Sequence, residues 1–258
     1  MGENRDGIAR MRAVTISREY GSGGGEIAAR LAKRLGWQLV DHEVLVQVAK
    51  ELGCTEADVE SYDEQVESLV SRILNSLQIV QPTMPLAVPK AESGGQVYQQ
   101  ALRRVVEAAA ATGHVVIVGR GSQVILGKRR DVLHARVVAP LNARIAYVMR
   151  RESLDRAAAH ARIQFKDRNR VRYLQAVHSL HPEDAHLYDI VVNTAILGLD
   201  SAVDLLCMAL EHKSRRLTTP SAELGPVAGL ARYTGQPSDF SQSVQPTEPQ
   251  AGNPKSSE

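Results

Sequence analysis

Four glycines and a serine lie between the first apolar stretch of the chain and its first amphipathic stretch. Residues 14–16 are apolar or β-branched, Gly21, Ser22 and residues 23–25 follow shortly after, and helical periodicity begins after Glu26. Glycine lets the backbone curl, so the N–H groups of the turn and of the first helical turn point at one place. This pattern favours a phosphate-bearing ligand. A turn that serves only to pack a strand against a helix is the alternative.

The glycine loop matches neither of the two common nucleotide-binding patterns in full. The dinucleotide pattern G-x-G-x-x-G fails because Glu26 stands where its third glycine belongs. The Walker A pattern G-x-x-x-x-G-K-[ST] places Arg18 at the first glycine, Gly24 at the lysine and Gly25 at the hydroxyl residue. The loop therefore has the shape of a P-loop without its lysine. Arg18, Arg120 and Lys128 are the cations that we consider as replacements.

Two further polar residues follow predicted strands. Asp41 ends the stretch 37–40, and Arg120 stands between two glycines after the β-branched run 115–118. Ligands collect at the carboxyl ends of strands in open α/β sheets. Asp41 is therefore either a ligand contact or a helix N-cap. We expect Arg120 to contact phosphate, and a structural pair with a carboxylate is its alternative.

Positive charge is concentrated in one segment of the chain. Residues 144–172 hold eight arginines and one lysine against three acidic residues, a net charge of +6, whereas the whole chain carries only +2. A solvated helix face is the ordinary explanation of such a run, and nucleic-acid binding is the second. The few aromatic residues nearby do not alternate with the arginines as a stacking platform would, so no nucleic-acid partner is predicted.

Composition sets the remaining bounds. The chain has 258 residues and an apolar fraction of 43%, enough for one medium domain with appendages. Its two cysteines, Cys54 and Cys207, offer neither a disulfide framework nor metal-ligand spacing, so no metal site is predicted among the side chains. Residues 1–12 contain no apolar core of a leader, and no run reaches the length of a membrane span. We expect a cytoplasmic protein without a membrane partner.

The order of the predicted elements indicates one α/β domain. Five buried strands separated by helical stretches predict a three-layer fold with a parallel sheet. We expect a flexible N-terminus over 1–12, a folded domain over 13–213 and a disordered tail over 217–258. The residues 167–170 are expected to interrupt the basic helical segment. The predicted strands are 13–17, 37–40, 115–118, 135–139 and 190–193; the predicted helices run to 35 and over 54–78, 96–111 and 198–212, with a mobile loop over 81–95.

Five motifs, in this order and spacing, resemble the cytidylate kinase-like family, relatives of bacterial cytidylate kinase among the nucleoside monophosphate kinases. The resemblance spans about residues 13–212. It rests on Ser-Arg-Glu-Tyr-Gly-Ser-Gly-Gly at 17–24, Leu-Gly-x-x-x-x-Asp at 35–41, Gly-Arg-Gly at 119–121, Asp-Arg-Asn-Arg at 167–170 and Tyr-Asp-Ile-Val-Val-Asn-Thr at 188–194.

The resemblance implies a P-loop kinase fold with a five-stranded parallel sheet, a helical insertion that binds the monophosphate, and an arginine-rich lid at about 144–175. It implies ATP as phosphoryl donor, Mg²⁺, and a nucleoside monophosphate as substrate, CMP or dCMP first. The implied ATP-binding residues are Arg18, Gly21, Ser22, Gly23, Gly24 and Gly25. The implied substrate-binding residues are Asp41, Arg120, Asp167 and Arg170, and the implied catalytic residues are Arg120, Asp167, Arg170 and Arg150.

The missing lysine keeps a second function open. The first hypothesis is an ATP- and Mg²⁺-dependent nucleoside monophosphate kinase, favoured by the lid and the Gly-Arg-Gly turn. The second is a nucleotide-binding regulatory module that lacks transfer activity because Gly24 replaces the Walker lysine. A dinucleotide-dependent oxidoreductase is a distant third, since Asp41 lies 20 residues after Gly21 but the third glycine is absent. Oligomeric state is left open.

Overall fold

Five short strands rich in Val and Ile form one parallel sheet. Their spatial order is β2-β3-β1-β4-β5, so β1 lies at the centre. All five predicted strands are confirmed, although β4 begins three residues before the predicted start. The strands are β1 Ala13–Arg18, β2 Gln38–Val40, β3 Val115–Val118, β4 Val132–Val138 and β5 Ile190–Asn193.

The structure is a computed structural model and describes residues 7–41 and 94–225. Its helices are α1 Gly24–Leu35, α2 Gly94–Thr112, α3 Ser122–Ile125, α4 Leu141–Glu152, α5 Arg156–His178 and α6 Leu199–Arg215. Two short 3₁₀ turns cover Ala185–Leu187 and Ser221–Glu223. The predicted helix 54–78, the helical insertion and nearly all of the predicted loop 81–95 lie outside the described residues; Gly94 and Gly95 already belong to α2.

Alternation of side chains along the strands produces the three layers. In β3, Val115 and Ile117 belong to the apolar cluster that α2 covers. Val116 and Val118 belong to the cluster on the other face, which α1 and α6 cover. Because successive strand residues point to opposite faces, a run of four β-branched residues can serve two cores only if both faces are buried. The predicted three-layer α/β fold is confirmed.

The sheet register brings the ends of three strands together. Ile16 of β1 lies opposite Val118 of β3 and Ala135 of β4. Because the strands are parallel, the segments that follow β1, β3 and β4 leave the same edge of the sheet. The glycine loop, the Gly-Arg-Gly turn and the start of the basic segment are therefore neighbours.

The basic segment forms two helices with a small apolar core between them. Ile145 and Val148 of α4 pack against Ala159 and Ile163 of α5. The expected interruption at 167–170 is wrong, because α5 runs without a break from Arg156 to His178. The helix begins instead at Asp155, whose carboxylate accepts a hydrogen bond from Ala158 N–H at 2.8 Å. The polar residues 167–170 are compatible with an unbroken helix, because they lie on the exposed face of α5 or on its side towards the cavity.

The chain divides into the units Met1–Leu217 and Thr218–Glu258. The flexibility expected over 1–12 stays a prediction; within this range Met11 is fully buried and packs in the cluster beneath α1 and α6. The disorder expected over 217–258 stays a prediction; the 3₁₀ turn at Ser221–Glu223 lies in this region. None of the helices in the described ranges is long and apolar enough to cross a membrane.

We expect the Met11→Ala substitution to lower the free energy of unfolding by about 2–5 kcal/mol, because it leaves a cavity in a packed core. Met208→Ala is the matched control, since Met208 in α6 is 50% exposed whereas Met11 is 0% exposed. The control should change the unfolding free energy by less than about 0.5 kcal/mol. Urea denaturation of both variants measures the difference. Equal losses would contradict the packing of residue 11 into the core.

Candidate functional site

The glycine loop curls as the sequence predicts. Gly21 and Gly23 have φ angles of 81° and 82°, a left-handed conformation that other residues adopt only with strain. Gly23 also caps α1 without a side-chain hydrogen bond. The first N–H groups of α1 therefore carry the partial positive charge of a helix N-terminus.

Ser22 anchors the glycine loop to the sheet. Its side chain is buried, and its hydroxyl lies 2.9 Å from the carbonyl oxygen of Glu19 and 3.1 Å from that of Val137. Thr194 in turn donates a hydrogen bond to the carbonyl oxygen of Ser22 at 2.8 Å. Because the Ser22 hydroxyl is engaged within the protein, Ser22 can contact a ligand only through its backbone.

A cavity of about 630 Å³ opens beside the loop, between the carboxyl ends of β1 and β3 and the helix α5. Six cationic and three acidic side chains line it, so its walls carry a net charge of +3. A cavity with this excess suits a ligand with several negative charges. The cations are Arg18, Arg120, Arg136, Arg144, Lys166 and Arg170, and the carboxylates are Glu19, Asp167 and Glu183.

The cavity unites part of the predicted site. Arg18, Arg120, Asp167 and Arg170, which come from three distant segments of the sequence, all line it. The residues of the glycine turn, Gly21, Ser22, Gly23, Gly24 and Gly25, are not among its lining residues, and neither is Asp41. Asp41 still acts on the cavity through its charge, since its carboxylate favours the protonated form of Arg18. Arg150 lies exposed in the last turn of α4 and does not line the cavity.

Crowding of like charges perturbs the arginines. Burial, together with the charges of Arg170 and Arg120, lowers the pKa of Arg18 to about 9, while Asp41 acts in the opposite direction. Burial also lowers the pKa of Arg170, against the effect of Asp167. Arg18, with its pKa of about 9, therefore remains protonated at neutral pH. A bound anion would relieve the repulsion between the guanidinium groups.

Asp167 ties the lid to the backbone of the loop after β1. Its carboxylate accepts hydrogen bonds from Tyr20 N–H at 2.8 Å, from Arg144 at 2.5 Å and from Arg170 at 3.2 Å. Arg170 also donates to the carbonyl oxygen of Arg18 at 3.3 Å, and Arg144 donates to that of Tyr20 at 3.3 Å. The lid helix α5 and the loop are thus held by charge-assisted hydrogen bonds.

A second contact joins the loop to α4. The Tyr20 hydroxyl donates to the carboxylate of Glu152 at 2.5 Å, and Arg162 donates to the other oxygen of that carboxylate at 2.6 Å. Burial and then this hydrogen bond raise the pKa of Tyr20. The Tyr20 ring also lies under the guanidinium of Arg170, whose central carbon is 5.4 Å from the ring centroid.

Arg120 projects from a strained turn at the tip of β3. Its φ angle is 55°, and Gly119 and Gly121 on either side also have positive φ angles. A non-glycine residue in this conformation persists only where the surroundings enforce it. The guanidinium carbon lies 6.0 Å from the centroid of the Tyr173 ring on α5, and the Tyr173 hydroxyl lies 3.5 Å from the carbonyl oxygen of Arg120.

Sequence reasoning missed several cavity residues. Arg136 and His134 interrupt the apolar residues of β4, a signal that the sequence carries. Arg136 is only 7% exposed, donates to the Ser17 hydroxyl at 3.3 Å and lies over the Tyr188 ring. Arg144 lay within the basic segment but was not singled out. Gln123 carries no sequence signal at all, since only the fold brings it to the cavity.

The donor set suits phosphate rather than a bare metal ion. Within residues 7–41 and 94–225, no group of three or more His, Cys, Asp or Glu side chains is placed to hold a metal. Guanidinium groups and helix N–H groups instead bind phosphate oxygens. Magnesium, if used, would reach this site on the phosphates of a nucleotide.

A glycine turn between β1 and α1, the strand order β2-β3-β1-β4-β5 and an arginine-bearing helical lid define a P-loop kinase fold. Residues 13–196 match the cytidylate kinase-like family. The chain belongs to that family. The resemblance seen in the sequence motifs is therefore confirmed.

The chain also resembles individual proteins, at sequence identities of 21–30%. A cytidylate kinase of Thermococcus kodakarensis is 28% identical over 214 residues, covering 82% of this chain and 92% of that protein. A uronate isomerase of Corynebacterium glutamicum is 30% identical over 138 residues, covering 54% of this chain; the chain spans only 26% of the length of that protein. A solved structure of an uncharacterized protein from Eubacterium ventriosum has a TM-score of 0.58 at 21% identity, covering 78% of this chain and 98% of that one, and shows the same fold.

We expect Asp167→Asn to lower the free energy of unfolding by about 1–3 kcal/mol, because it removes the carboxylate that pairs with Arg170 and leaves Arg144 only its longer pair with Glu19. The control is Asp200→Asn, whose carboxylate pairs with Arg30 but is 84% exposed, against 26% for Asp167. An exposed pair contributes less than about 1 kcal/mol. Urea denaturation of both variants at one ionic strength tests the expectation. A larger loss for the control would contradict the role of Asp167 in joining lid and loop.

Proposed function

We propose that this protein transfers the γ-phosphoryl group of ATP to a nucleoside monophosphate, with CMP or dCMP as the leading acceptor. The observation that carries the proposal is the positively charged cavity between the loop after β1, the tip of β3 and the helix α5. Membership of the cytidylate kinase-like family supports the reaction class. The likeness to the cytidylate kinase of Thermococcus kodakarensis, along 92% of that protein, supports the choice of acceptor.

The cavity offers what phosphoryl transfer requires. An oxygen of the acceptor phosphate forms a bond to the γ-phosphorus while the bond from that phosphorus to the β–γ bridging oxygen breaks and ADP leaves. Such a step needs in-line positioning, neutralisation of charge and exclusion of water rather than covalent help from the protein. The six cations around the cavity supply the neutralising charge, and α5 covers the cavity from one side.

The predicted site residues other than Arg18 take the following roles in this proposal. The turn at Gly21–Gly25, with the N-terminus of α1, would hold the phosphates of ATP and its Mg²⁺. Asp41 and Arg120 would contact the acceptor nucleotide, because they end β2 and β3 on the side of the sheet away from β4. Asp167 and Arg170 would lie between the acceptor and the transferred group. Arg150 does not line the cavity, so the catalytic role predicted for it requires a movement of α4.

The glycine at position 24 supports a second candidate function, nucleotide binding without phosphoryl transfer. No side chain can extend from position 24, where the P-loop lysine would stand. A nucleotide-binding regulatory module that has lost the chemistry would show the same fold and the same charged cavity. The two functions differ in one measurable property, the turnover of ATP with an acceptor. If the protein is a kinase, its two substrates are ATP and a nucleoside monophosphate. We therefore propose a cytoplasmic location for it.

A coupled assay with ATP, Mg²⁺ and CMP, dCMP, UMP, AMP or GMP tests the proposal. We expect turnover of about 1–100 s⁻¹ with CMP or dCMP. An absence of turnover on every acceptor, while ATP or CMP still raises the melting temperature, would favour the binding module instead.

We expect Arg120→Ala to weaken acceptor binding at least tenfold, because it removes a charge-assisted contact to phosphate. Arg34→Ala is the matched control, since Arg34 lies in the last turn of α1, pairs with Asp204 and does not line the cavity. Isothermal titration with CMP measures both variants. Unchanged CMP affinity of the Arg120 variant would remove that residue from the acceptor site.

A further inference from the structure

Position 24 carries glycine for a steric reason. A Cβ atom placed on Gly24 would lie 2.6 Å from Cβ of Arg18, 3.1 Å from its Cγ and 3.4 Å from Cβ of Val137. A Cβ atom essentially never lies within 3.0 Å of another non-bonded heavy atom, and the neighbouring atoms belong to a strand and to the stem of Arg18. A lysine at position 24 is therefore incompatible with an arginine at position 18 in this backbone.

The same arginine also lies against the tip of β3. A Cβ atom on Gly119 would collide with the Nη1 atom of Arg18, and Gly119 has a φ angle of 79° besides. The guanidinium of Arg18 thus passes from the glycine loop to the Gly-Arg-Gly turn. Along this path it lines the cavity, close enough to Arg120 and Arg170 for all three charges to interact.

We propose that Arg18 supplies the cation that lysine supplies in a standard P-loop, so that the arginine at the first position and the glycine at the seventh have exchanged places. The proposal deepens the kinase function and rests on it for the catalytic part of the role. Its binding part, contact with a triphosphate, stands on the geometry of Arg18, Gly24 and Gly119 alone.

The position of Arg18 suits this role better than that of the other cations considered. Arg120 belongs to the turn after β3 and is already assigned to the acceptor. Lys128 is exposed and does not line the cavity. Arg18 starts from β1, directly before the loop, and its planar guanidinium can hold two phosphate oxygens at once. An arginine that reaches from the donor loop to the acceptor turn is placed to neutralise charge where the two phosphates meet.

The exchange can be reversed by mutation. We expect Arg18→Gly to lower kcat at least a hundredfold, in the range found when one preorganised donor is removed. Gly24→Lys alone should also lose activity and melt earlier, because the new Cβ meets the stem of Arg18. The double variant Arg18→Gly/Gly24→Lys restores the Walker spacing without the clash, and we expect its kcat to exceed that of Arg18→Gly at least tenfold. A double variant no better than Arg18→Gly, or an Arg18→Gly variant as active as the wild type, would overturn the proposal.

A binding experiment separates this proposal from the proposed function. Arg18→Met keeps most of the stem and its packing but removes the charge, and Arg34→Met is its matched control on an exposed helix face. We expect Arg18→Met to bind inorganic tripolyphosphate at least tenfold more weakly than wild type by calorimetry, with the control unchanged. Equal affinity, or no binding by the wild type, would overturn the role of Arg18. If tripolyphosphate binds tightly and the binding depends on Arg18, but no acceptor is turned over, the binding role of Arg18 stands and the proposed kinase function is rejected.

Discussion

The carboxylate of Asp167 is the contact on which the arrangement of the site depends. It is bound by the N–H group of Tyr20 and by Arg144 and Arg170, so one anion joins the loop after β1 to both lid helices. Without an anion at this point, two guanidinium groups would face each other in a half-buried space. Asp167, an acidic residue in the middle of a basic helix, thus holds the lid against the loop, and Glu152 supplies a second such contact through Tyr20 and Arg162.

A second constraint is steric and concerns the glycines. Gly24 and Gly119 lack side chains in the two places that Arg18 occupies on its way across the site. Gly119 shares with Gly21 and Gly23 a φ angle in the left-handed region. The glycines of the site thus have two causes, backbone conformation and, at position 24, the volume of the Arg18 stem.

Much of the fold was predictable because its signals are local. The residues 115–118 and 190–192 are all β-branched, and both runs lie in strands of the structure. The interruption expected at 167–170 is absent, because none of the polar residues in this stretch breaks a helix. Arg136 was overlooked for the converse reason, since a strand pattern directs attention to its apolar members.

The sequence by itself determined the class of fold, the glycine turn, the local positive charge and the family motifs, because each depends on residues close together in the chain. Only the tertiary structure decided which charges share the cavity. Arg18 and Arg170 are far apart in the sequence, yet Arg170 donates a hydrogen bond to the carbonyl oxygen of Arg18, whereas Arg150 belongs to the basic segment in sequence but does not line the cavity. The physical reason is that strand register and helix rotation set the direction of a side chain, and both are settled by the packing of the whole core.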